Sequence, residues 1–323
     1  MRKLVSILSF LVLWPSSAVQ AQLYALNGAG VTFGAVHTVV RDLEATKQFW
    51  ALFGGKPVRF GGIDAIGLPG VFIFLHQGEP SGPSRGAVVD HLGVSSPIPY
   101  ELVKRLVAAG VRTDPINPVT LRDPSWKRGN PQQTWMHVYS PDGLRVEIET
   151  NPCAFSQPAG QTVGPCPESI ATVVHNGDPT APIGMSQMHF YLKDNAEVRA
   201  FYDFYEKHFG GRINQRAGVL VVPGAKLNAE TSPEGQRPSN QGRALDSIGF
   251  EVKNLEEFCN KLGAAGVRFS EPYSKTRYGG LAHAAFTDAW GVRVQLTEGL
   301  TPVCYSEGGY LGLMVCSGAA KSF

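Results

Sequence analysis

The sequence predicts an α+β fold built from four similar βαβββ units. The first observation is a repeat: residues 88–96 read VVDHLGVSS, residues 244–252 read ALDSIGFEV, and a helical pattern ending in Ala-Ala-Gly-Val-Arg follows each. The second is another pair of similar stretches, residues 34–57 and 186–212, in which an alternating strand leads into an amphipathic helix that ends in Phe-Gly-Gly. A repeat on this scale indicates duplicated structural units. The short links between the later strands favour mixed sheets over a doubly wound parallel sheet.

The N-terminus has the three parts of a secretory signal peptide. Arg2 and Lys3 precede an apolar run from Leu4 to Trp14, and small residues follow it up to Ala21. The apolar run is too short to cross a bilayer as a helix. We therefore expect residues 1–21 to be removed on export and the mature protein to be secreted or periplasmic.

Two copies of the repeat account for most of the remaining chain. Residues 22–152 form the first copy and residues 184–300 the second, and in each copy the strand, helix, strands order occurs twice. Residues 153–183 form a predicted Pro/Gly-rich linker, and residues 301–323 form a C-terminal tail. Each copy ends in two strands joined by a tight turn. This pattern predicts two domains of two modules each.

Charge limits the partners that the protein can bind. The chain has 29 basic and 27 acidic residues, and two of the basic residues belong to the predicted signal peptide. A nucleic-acid-binding surface needs a cluster of basic side chains, and the sequence contains no such cluster. After residue 21 no apolar run reaches the length of a transmembrane helix. We expect a small-molecule substrate, no nucleic acid, no membrane association after signal cleavage, and either a monomer or a homodimer.

Four of the five cysteines lie in two closely spaced pairs. Cys153 and Cys166 flank a Pro/Gly-rich segment, and Cys304 and Cys316 flank a segment of the tail. In an oxidising compartment each pair could close a local disulfide. Cys259 lies inside a helical pattern, which predicts a buried free thiol.

The repeated units and their polar residues resemble those of the vicinal oxygen chelate superfamily. This superfamily includes glyoxalase I, extradiol dioxygenases and the bleomycin and fosfomycin resistance proteins. The resemblance covers two tandem domains, about 33–152 and 184–299. It implies that the two modules of each domain curl into an open eight-stranded barrel of mixed sheet around one divalent metal ion.

The resemblance also implies the metal ligands. His37 lies on the first strand, in AVHTVV; His91 opens the second module, in VVDHLGV; and Glu147 lies on the final strand, in SPDGLRVEIET. Two imidazoles and a carboxylate can hold Fe²⁺, Zn²⁺, Ni²⁺ or Mn²⁺ and leave positions open for a substrate. Glyoxalase I has a further glutamate where this chain carries Phe74 and His76, so His76 is the candidate fourth ligand.

His137 and Tyr139 are the candidate catalytic residues. They share one face of the strand that precedes the strand of Glu147. An imidazole at this place could orient a metal ligand or transfer a proton.

The second copy lacks two of the expected ligands. His189 is present, but Ser247 and Gln295 stand where the first copy has His91 and Glu147. A hydroxyl and a neutral amide are weak ligands for a transition metal. The sequence therefore predicts the metal site in the first copy.

Two other residues of the second copy are of ligand type. Glu230 aligns with His76, and His283 aligns with Trp135. They could in principle build a different site, but the pattern favours a scaffold, a lid or a dimer surface.

Two classes of function follow from these residues. A metal-dependent enzyme would hold a small substrate through vicinal oxygens, either as a lyase or isomerase with a fourth protein ligand or as an extradiol-type dioxygenase with Fe²⁺ and three ligands. The triad favours the dioxygenase, but extradiol enzymes of this two-domain build resemble the C-terminal copy at their working site. Export disfavours a glutathione thioester, because that thiol is chiefly cytosolic. The alternative is a non-catalytic protein that sequesters a small ligand, as bleomycin resistance proteins do.

Overall fold

The structure is a computed structural model that describes residues 23–96, 98–114, 135–149, 183–214, 218–278 and 280–300, and the backbone of residues 303–307 and 313–317. The predicted signal peptide, Cys153 and Cys166 lie outside the described residues. The helices are α1 Leu43–Ala51, α2 Pro99–Ala108, α3 Asn195–Phe209 and α4 Leu255–Ala264. The strands are β1 Val31–Val40, β2 Lys56–Phe60, β3 Ile63–Leu68, β4 Val71–Gln77, β5 Val89–Ser95, β6 Trp135–Tyr139, β7 Arg145–Glu149, β8 Gly184–Leu192, β9 Arg212–Asn214, β10 Val219–Val222, β11 Ala225–Thr231, β12 Ser247–Val252, β13 Phe269–Tyr278, β14 Leu281–Thr287, β15 Arg293–Glu298, β16 Val303–Glu307 and β17 Leu313–Ser317.

The elements follow the predicted α+β order. Four modules each begin with a strand and a helix: β1–β4 with α1, β5–β7 with α2, β8–β11 with α3, and β12–β15 with α4. Helices α1 and α3 begin after Asp42 and Asp194, because each aspartate side chain accepts two N–H groups of the first turn. Helix α3 ends at Gly210, whose φ of 67° favours glycine.

The strands form two mixed sheets, and each sheet combines one module from each half of the chain. The first sheet has the strand order β13-β14-β15-β12-β1-β4-β3-β2-β17-β16, and the second has the order β6-β7-β5-β8-β11-β10-β9. The first and fourth modules therefore share the first sheet, and the second and third modules share the second sheet. In both sheets the modules meet through antiparallel first strands, β1 with β12 and β5 with β8.

This pairing changes the grouping that the repeat suggests. The predicted domains join consecutive modules, whereas the structure joins the outer two modules and the inner two. The boundaries drawn from the repeat at 22–152 and 184–300 therefore do not coincide with the sheets.

One continuous core of buried apolar side chains draws on all four helices. It includes Trp50 of α1, Leu106 of α2, Tyr205 of α3 and Leu262 of α4, all almost fully buried. Burial of a large apolar side chain contributes roughly 1.5–3 kcal/mol, so helix packing stabilises both sheets. Among the described residues no helix has the length and hydropathy needed to cross a membrane.

The C-terminal tail adds a hairpin to the first sheet. Strand β17 pairs with β16 and runs parallel to β2. The register places Cys304 directly opposite Cys316, and Cα atoms of such partners lie within the range that a disulfide spans. The Cys304–Cys316 disulfide stays a prediction that this register permits. Cys259 is a buried free cysteine of α4, as predicted.

Candidate metal centre

Three ligand-type side chains meet on one face of the second sheet. His91 of β5 and His189 of β8 lie opposite each other in the register of the two central strands, and Glu147 projects from the neighbouring strand β7. The three residues each offer a ligand atom within 4.8 Å of the other two. His91 Nε2 lies 3.1 Å from Glu147 Oε2, and all three side chains are buried. Imidazole and carboxylate donors at such separations can hold a divalent metal ion.

Glu147 is a buried carboxylate with no lysine or arginine partner among the described residues. Its oxygens contact the imidazoles of His91 and His137 and one side-chain amide. Burial alone would raise the pKa of Glu147, but the two imidazoles hold it well below its usual range. The neighbouring Glu149, in contrast, is paired with Lys226, whose Nζ lies 3.1 Å from each of its oxygens. Because a buried negative charge is costly unless it is compensated, Glu147 fits a site for a cation.

His189 directs a buried nitrogen at the same place. Its Nε2 makes no hydrogen bond, and the Glu230 carboxylate lies 3.7 Å from it. Burial lowers the pKa of His189, which favours the neutral imidazole that binds metals. A buried nitrogen without a partner is costly unless a ligand satisfies it, so His189 also fits a metal site.

Glu230 of β11 lies at the open side of the cluster. Its Oε2 is 3.7 Å from His189 Nε2, and its side chain is 57% exposed. Contact with His189 lowers the pKa of Glu230, so the carboxylate is charged near neutral pH. The cluster thus has a second carboxylate on the side that solvent can reach.

Asp90 fixes the orientation of the His91 ring. Its Oδ1 lies 2.9 Å from His91 Nδ1. Arg145 and Arg237 donate hydrogen bonds to Asp90 at 2.7 and 2.9 Å, and Gly86 N–H donates at 3.0 Å. Although burial would raise the pKa of Asp90, these contacts hold it far below its usual range. An ionised carboxylate on Nδ1 leaves Nε2 as the metal-binding atom, a common arrangement behind metal-bound histidines.

His137 contacts the metal-facing carboxylate. Its Nε2 lies 3.3 Å from Glu147 Oε2, and its Nδ1 lies 3.1 Å from Arg145 Nη2. A guanidinium can only donate, so Nδ1 accepts and the proton of the neutral ring sits on Nε2, facing Glu147. The structure thus places His137 behind a metal ligand.

Tyr139 does not contact the three ligand-type residues and is linked to them through Asp114 and Arg145. Its hydroxyl donates to Asp114 Oδ1 at 2.6 Å, and the guanidinium of Arg112 stacks over its ring at 4.0 Å. Asp114 in turn accepts a hydrogen bond from Arg145 at 2.9 Å. Tyr139 therefore supports the residues that hold Asp90 and His137.

His37 and His76, the other two candidate ligands, lie in the first sheet. β1 pairs with β12 and not with β5, so His37 is opposite Ser247 instead of being close to His91. His37 Nδ1 lies 3.0 Å from His76 Nε2, and its ring stacks on Phe74 at 4.7 Å. The structure therefore separates His37 and His76 from the ligand pair that the sequence analysis placed with them.

The first sheet has lost its carboxylates at the equivalent place. Gln295 Nε2 donates to Ser247 Oγ at 2.7 Å, and Gln295 Oε1 lies 3.0 Å from His283 Nε2. An apolar cluster of Phe60, Phe72, Phe74, Leu23 and Leu300 fills the space beside them. Burial and the neighbouring His76 lower the pKa of His37 well below its usual value. At the positions of Glu147 and Glu230 in the second sheet, the first sheet therefore has the neutral side chain of Gln295 and the imidazole of His76.

His189 and Glu230 are ligand-type residues in the sequence, but they belong to the second copy, in which no metal site was predicted. The positions of the two missing ligands, however, indicate which modules belong together. Both replacements, Ser247 and Gln295, fall in one module, while the module that precedes it along the chain keeps both of its ligands. Pairing the second module with the third brings together all four ligand-type residues, His91, Glu147, His189 and Glu230.

Comparisons with known proteins agree with this architecture. Residues 195–296 match the family model described as the Glyoxalase/Bleomycin resistance protein/Dioxygenase superfamily. No curated protein sequence shows a significant match to the chain.

The solved structures that match are distant in sequence. Glyoxalase I from Zea mays is 15% identical, with a TM-score of 0.53 over 83% of this chain and 92% of that chain. A glutamate-to-glutamine mutant of the Zea mays enzyme is 13% identical, with a TM-score of 0.55 over 83% of this chain and 94% of that chain. A Bacillus subtilis protein provisionally described as a dioxygenase is 14% identical, with a TM-score of 0.53 over 83% of this chain and 85% of that chain. At these identities the similarity shows the fold.

Proposed function

We propose that the chain is a metal-dependent enzyme of the vicinal oxygen chelate superfamily that acts on a small substrate through two adjacent oxygen atoms; the support is the match of residues 195–296 to the family model and the fold shared with glyoxalase I. The observation that carries the proposal is the buried group of His91, Glu147 and His189. These residues combine two imidazoles with a carboxylate that lacks a basic partner among the described residues, and the set suits a divalent cation.

Each residue of the centre has a distinct part in the proposal. His91, Glu147 and His189 would hold the ion, which would act as a Lewis acid toward the substrate oxygens. Asp90 keeps the Nε2 atom of His91 directed at the centre, and His137 holds Glu147. This support fixes the donors before a substrate arrives.

Glu230 favours the lyase or isomerase branch over the dioxygenase branch. The first three ligands alone would match the two-histidine, one-carboxylate pattern of non-haem Fe²⁺ oxygenases. Glu230 Oε2, at 3.7 Å from His189 Nε2, supplies a second carboxylate. Four protein donors with two carboxylates suit an ion such as Zn²⁺ or Ni²⁺ in non-redox chemistry, and an octahedral ion would keep two positions for the substrate.

We also propose that the enzyme acts outside the cytoplasm. The support is the signal-peptide pattern of residues 1–21. In that compartment a substrate other than a glutathione thioester is expected, because that thiol is chiefly cytosolic.

Metal analysis of the purified protein tests the proposal. We expect wild-type protein reconstituted anaerobically with Zn²⁺, Ni²⁺, Mn²⁺ or Fe²⁺ to carry one ion per chain. His189→Ala should lose that ion, because it removes a donor of the second sheet. His37→Ala is the matched control: it changes a histidine at the equivalent position of the first sheet and should keep the ion.

The outcomes separate the functions. A wild-type protein that carries none of these ions would rule out the metal-dependent enzyme and leave the ligand-sequestering alternative. Loss of the ion from His37→Ala and not from His189→Ala would place the centre in the first sheet, contrary to the proposal. A bound Fe²⁺ with O₂ consumption on catechols would select the dioxygenase branch.

A further inference from the structure

We propose that Gln187 is a positioning residue that favours coordination of the metal ion through a single oxygen of Glu147, and so keeps open a position that the proposed substrate needs. This inference rests on the proposed metal centre. Gln187 lies on β8 two residues before His189, so both side chains project from the same face of the strand.

The two oxygens of Glu147 have different partners. Gln187 Nε2 donates a hydrogen bond to Oε1 at 2.8 Å, and both side chains are buried. The other oxygen, Oε2, lies 3.1 Å from His91 Nε2 and 3.3 Å from His137 Nε2. The amide thus holds Oε1 on the side away from the cluster, whereas Oε2 lies between the two imidazoles.

Gly93 makes this contact sterically feasible. It lies between the two residues in the sheet, as the register partner of Glu147 on β7 and of Gln187 on β8. A Cβ atom at position 93 would lie 2.5 Å from Gln187 Cγ. Because Gly93 has no side chain, the amide of Gln187 can cross β5 and reach the carboxylate.

The first sheet has the same backbone arrangement but has Ala35 at the position equivalent to Gln187. There Gly249 is the register partner of both Ala35 and Gln295, and a Cβ atom at position 249 would lie 2.8 Å from the Ala35 Cβ. Close strand packing accounts for the glycine in both sheets. It does not account for Gln187, which is present only in the sheet that keeps the metal-type carboxylates.

The number of oxygens that Glu147 supplies decides what the centre can bind. Carboxylates bind metals through one or two oxygens, and an octahedral ion has six positions. With Glu230 as the fourth ligand of the proposed centre, His91, His189, Glu230 and a single oxygen of Glu147 would use four positions and leave two for a substrate. If Glu147 supplied both oxygens, one position would remain, and a substrate could bind through only one atom. By favouring a single oxygen of Glu147, Gln187 would keep open the second position that the proposed two-oxygen substrate requires.

The test replaces Gln187 and measures the open positions of Mn²⁺. Water-proton relaxation of Mn²⁺-loaded protein reports exchangeable water ligands, and competition titrations give the affinities for acetohydroxamate, which chelates through two oxygens, and for acetate. We expect Gln187→Met, which is close to isosteric, to bind Mn²⁺ with one exchangeable water fewer than wild type. Its affinity for acetohydroxamate should fall about tenfold or more, equivalent to a loss of about 1.4 kcal/mol, while its affinity for acetate should change little.

A second variant and two controls separate this effect from general damage. Gly93→Ala keeps the amide but displaces Gln187, so it should reproduce the effect of Gln187→Met. Gly249→Ala makes the same change at the equivalent place in the first sheet, and Gln295→Leu removes a buried amide there. Both should keep the wild-type number of water ligands.

The outcomes distinguish this inference from the proposed function. Wild-type protein that binds no Mn²⁺, Zn²⁺, Ni²⁺ or Fe²⁺ would contradict the metal centre itself. Wild-type protein that binds Mn²⁺ with fewer than two exchangeable waters would overturn the inference without any variant. Unchanged waters and unchanged acetohydroxamate affinity in either folded variant would also overturn it and leave the metal centre intact.

Discussion

Ser247 occupies in the first sheet the place that His91 occupies in the second. Its hydroxyl donates to Asp246 Oδ2 at 2.8 Å and accepts from Gln295 Nε2 at 2.7 Å. Gln295 continues the chain of contacts to His283. A hydroxyl and an amide that hydrogen-bond to each other therefore stand where the second sheet has His91 and Glu147, and both are weak ligands for a transition metal.

Restoring one histidine should not restore a metal site. We expect Ser247→His to bind no additional divalent ion, because the equivalent carboxylate is still Gln295. The larger side chain should lower the free energy of unfolding by about 1–3 kcal/mol, since it breaks two buried hydrogen bonds and overpacks the site. Elemental analysis of Ser247→His, of His91→Ser and of the double variant His91→Ser/Ser247→His, with urea unfolding of the apo proteins, checks this. A stoichiometric ion in the double variant but not in His91→Ser would contradict it.

Glu251 of β12 forms hydrogen bonds to residues at the end of β15. Its carboxyl is 5% exposed and accepts hydrogen bonds from Thr297 Oγ1 at 2.8 Å, Gly299 N–H at 2.6 Å and Leu300 N–H at 3.0 Å. No lysine or arginine pairs with it among the described residues. Burial raises its pKa to about 7, because no positive charge offsets the cost of burying the ionised form.

This carboxyl should make the stability of the first sheet depend on pH. The usual pKa of a glutamate is 4.5 and the folded value is about 7, so the folded state favours the protonated form. The contribution is fully present below about pH 4.5 and is lost as the pH rises through about 7, and its size is about 3 kcal/mol. Glu251→Gln keeps an acceptor but cannot ionise. The free energy of unfolding of the variant, relative to wild type, should therefore rise by about that amount between pH 4.5 and pH 8.

Urea unfolding at several pH values measures this difference. Comparison with the variant is needed because burial also raises the pKa of Asp288 to about 7, which gives both proteins a similar background slope. Parallel pH profiles for wild type and Glu251→Gln would show that Glu251 does not ionise in this range.

Local sequence signals were sufficient to predict the elements but not their pairing. Helix α1 starts after Asp42 because a short-range cap fixes it, and the alternating pattern that predicts β1 extends over only ten residues. Whether β1 pairs with β5 or with β12 depends on contacts between residues that are far apart in the sequence. Since the modules resemble one another, both pairings satisfy the same apolar pattern.

The same limit explains the outcome for the site. His91 and Glu147 belong to one module, β5 to β7, so a resemblance read along the chain could place them together. His189 and Glu230 also belong to one module, β8 to β11. Which module completes which site is decided by sheet pairing. The resemblance implied His37 because it matches the first-strand histidine of the family within the same copy.

On the scale of the whole molecule, the metal-type ligands come from both halves of the chain. Residues 22–152 contribute His91 and Glu147, and residues 184–300 contribute His189 and Glu230. Each half also supplies one central strand to each sheet. The duplicated halves therefore interlock, and the site depends on their assembly.

Neither half should fold into a working unit by itself. We expect residues 22–152 and residues 183–323, produced separately, to bind no stoichiometric metal ion and to show no cooperative unfolding as monomers. Each fragment leaves the edge of a central strand unpaired, which favours disorder or association. The first fragment would also lose two buried hydrogen bonds to Asn240 of the second. The Asn240 side chain accepts from Val89 N–H at 2.7 Å and donates to Val89 C=O at 2.8 Å.

Mixing the two fragments should restore what each one lacks. Circular dichroism and size-exclusion chromatography of the mixture should show a folded 1:1 complex, and that complex should bind one ion, because His91 and His189 again face each other across β5 and β8. The full-length chain with residues 1–21 removed is the control. If residues 22–152 alone form a folded monomer that binds the ion with His37, then consecutive modules pair after all, and the exchange of modules between halves is wrong.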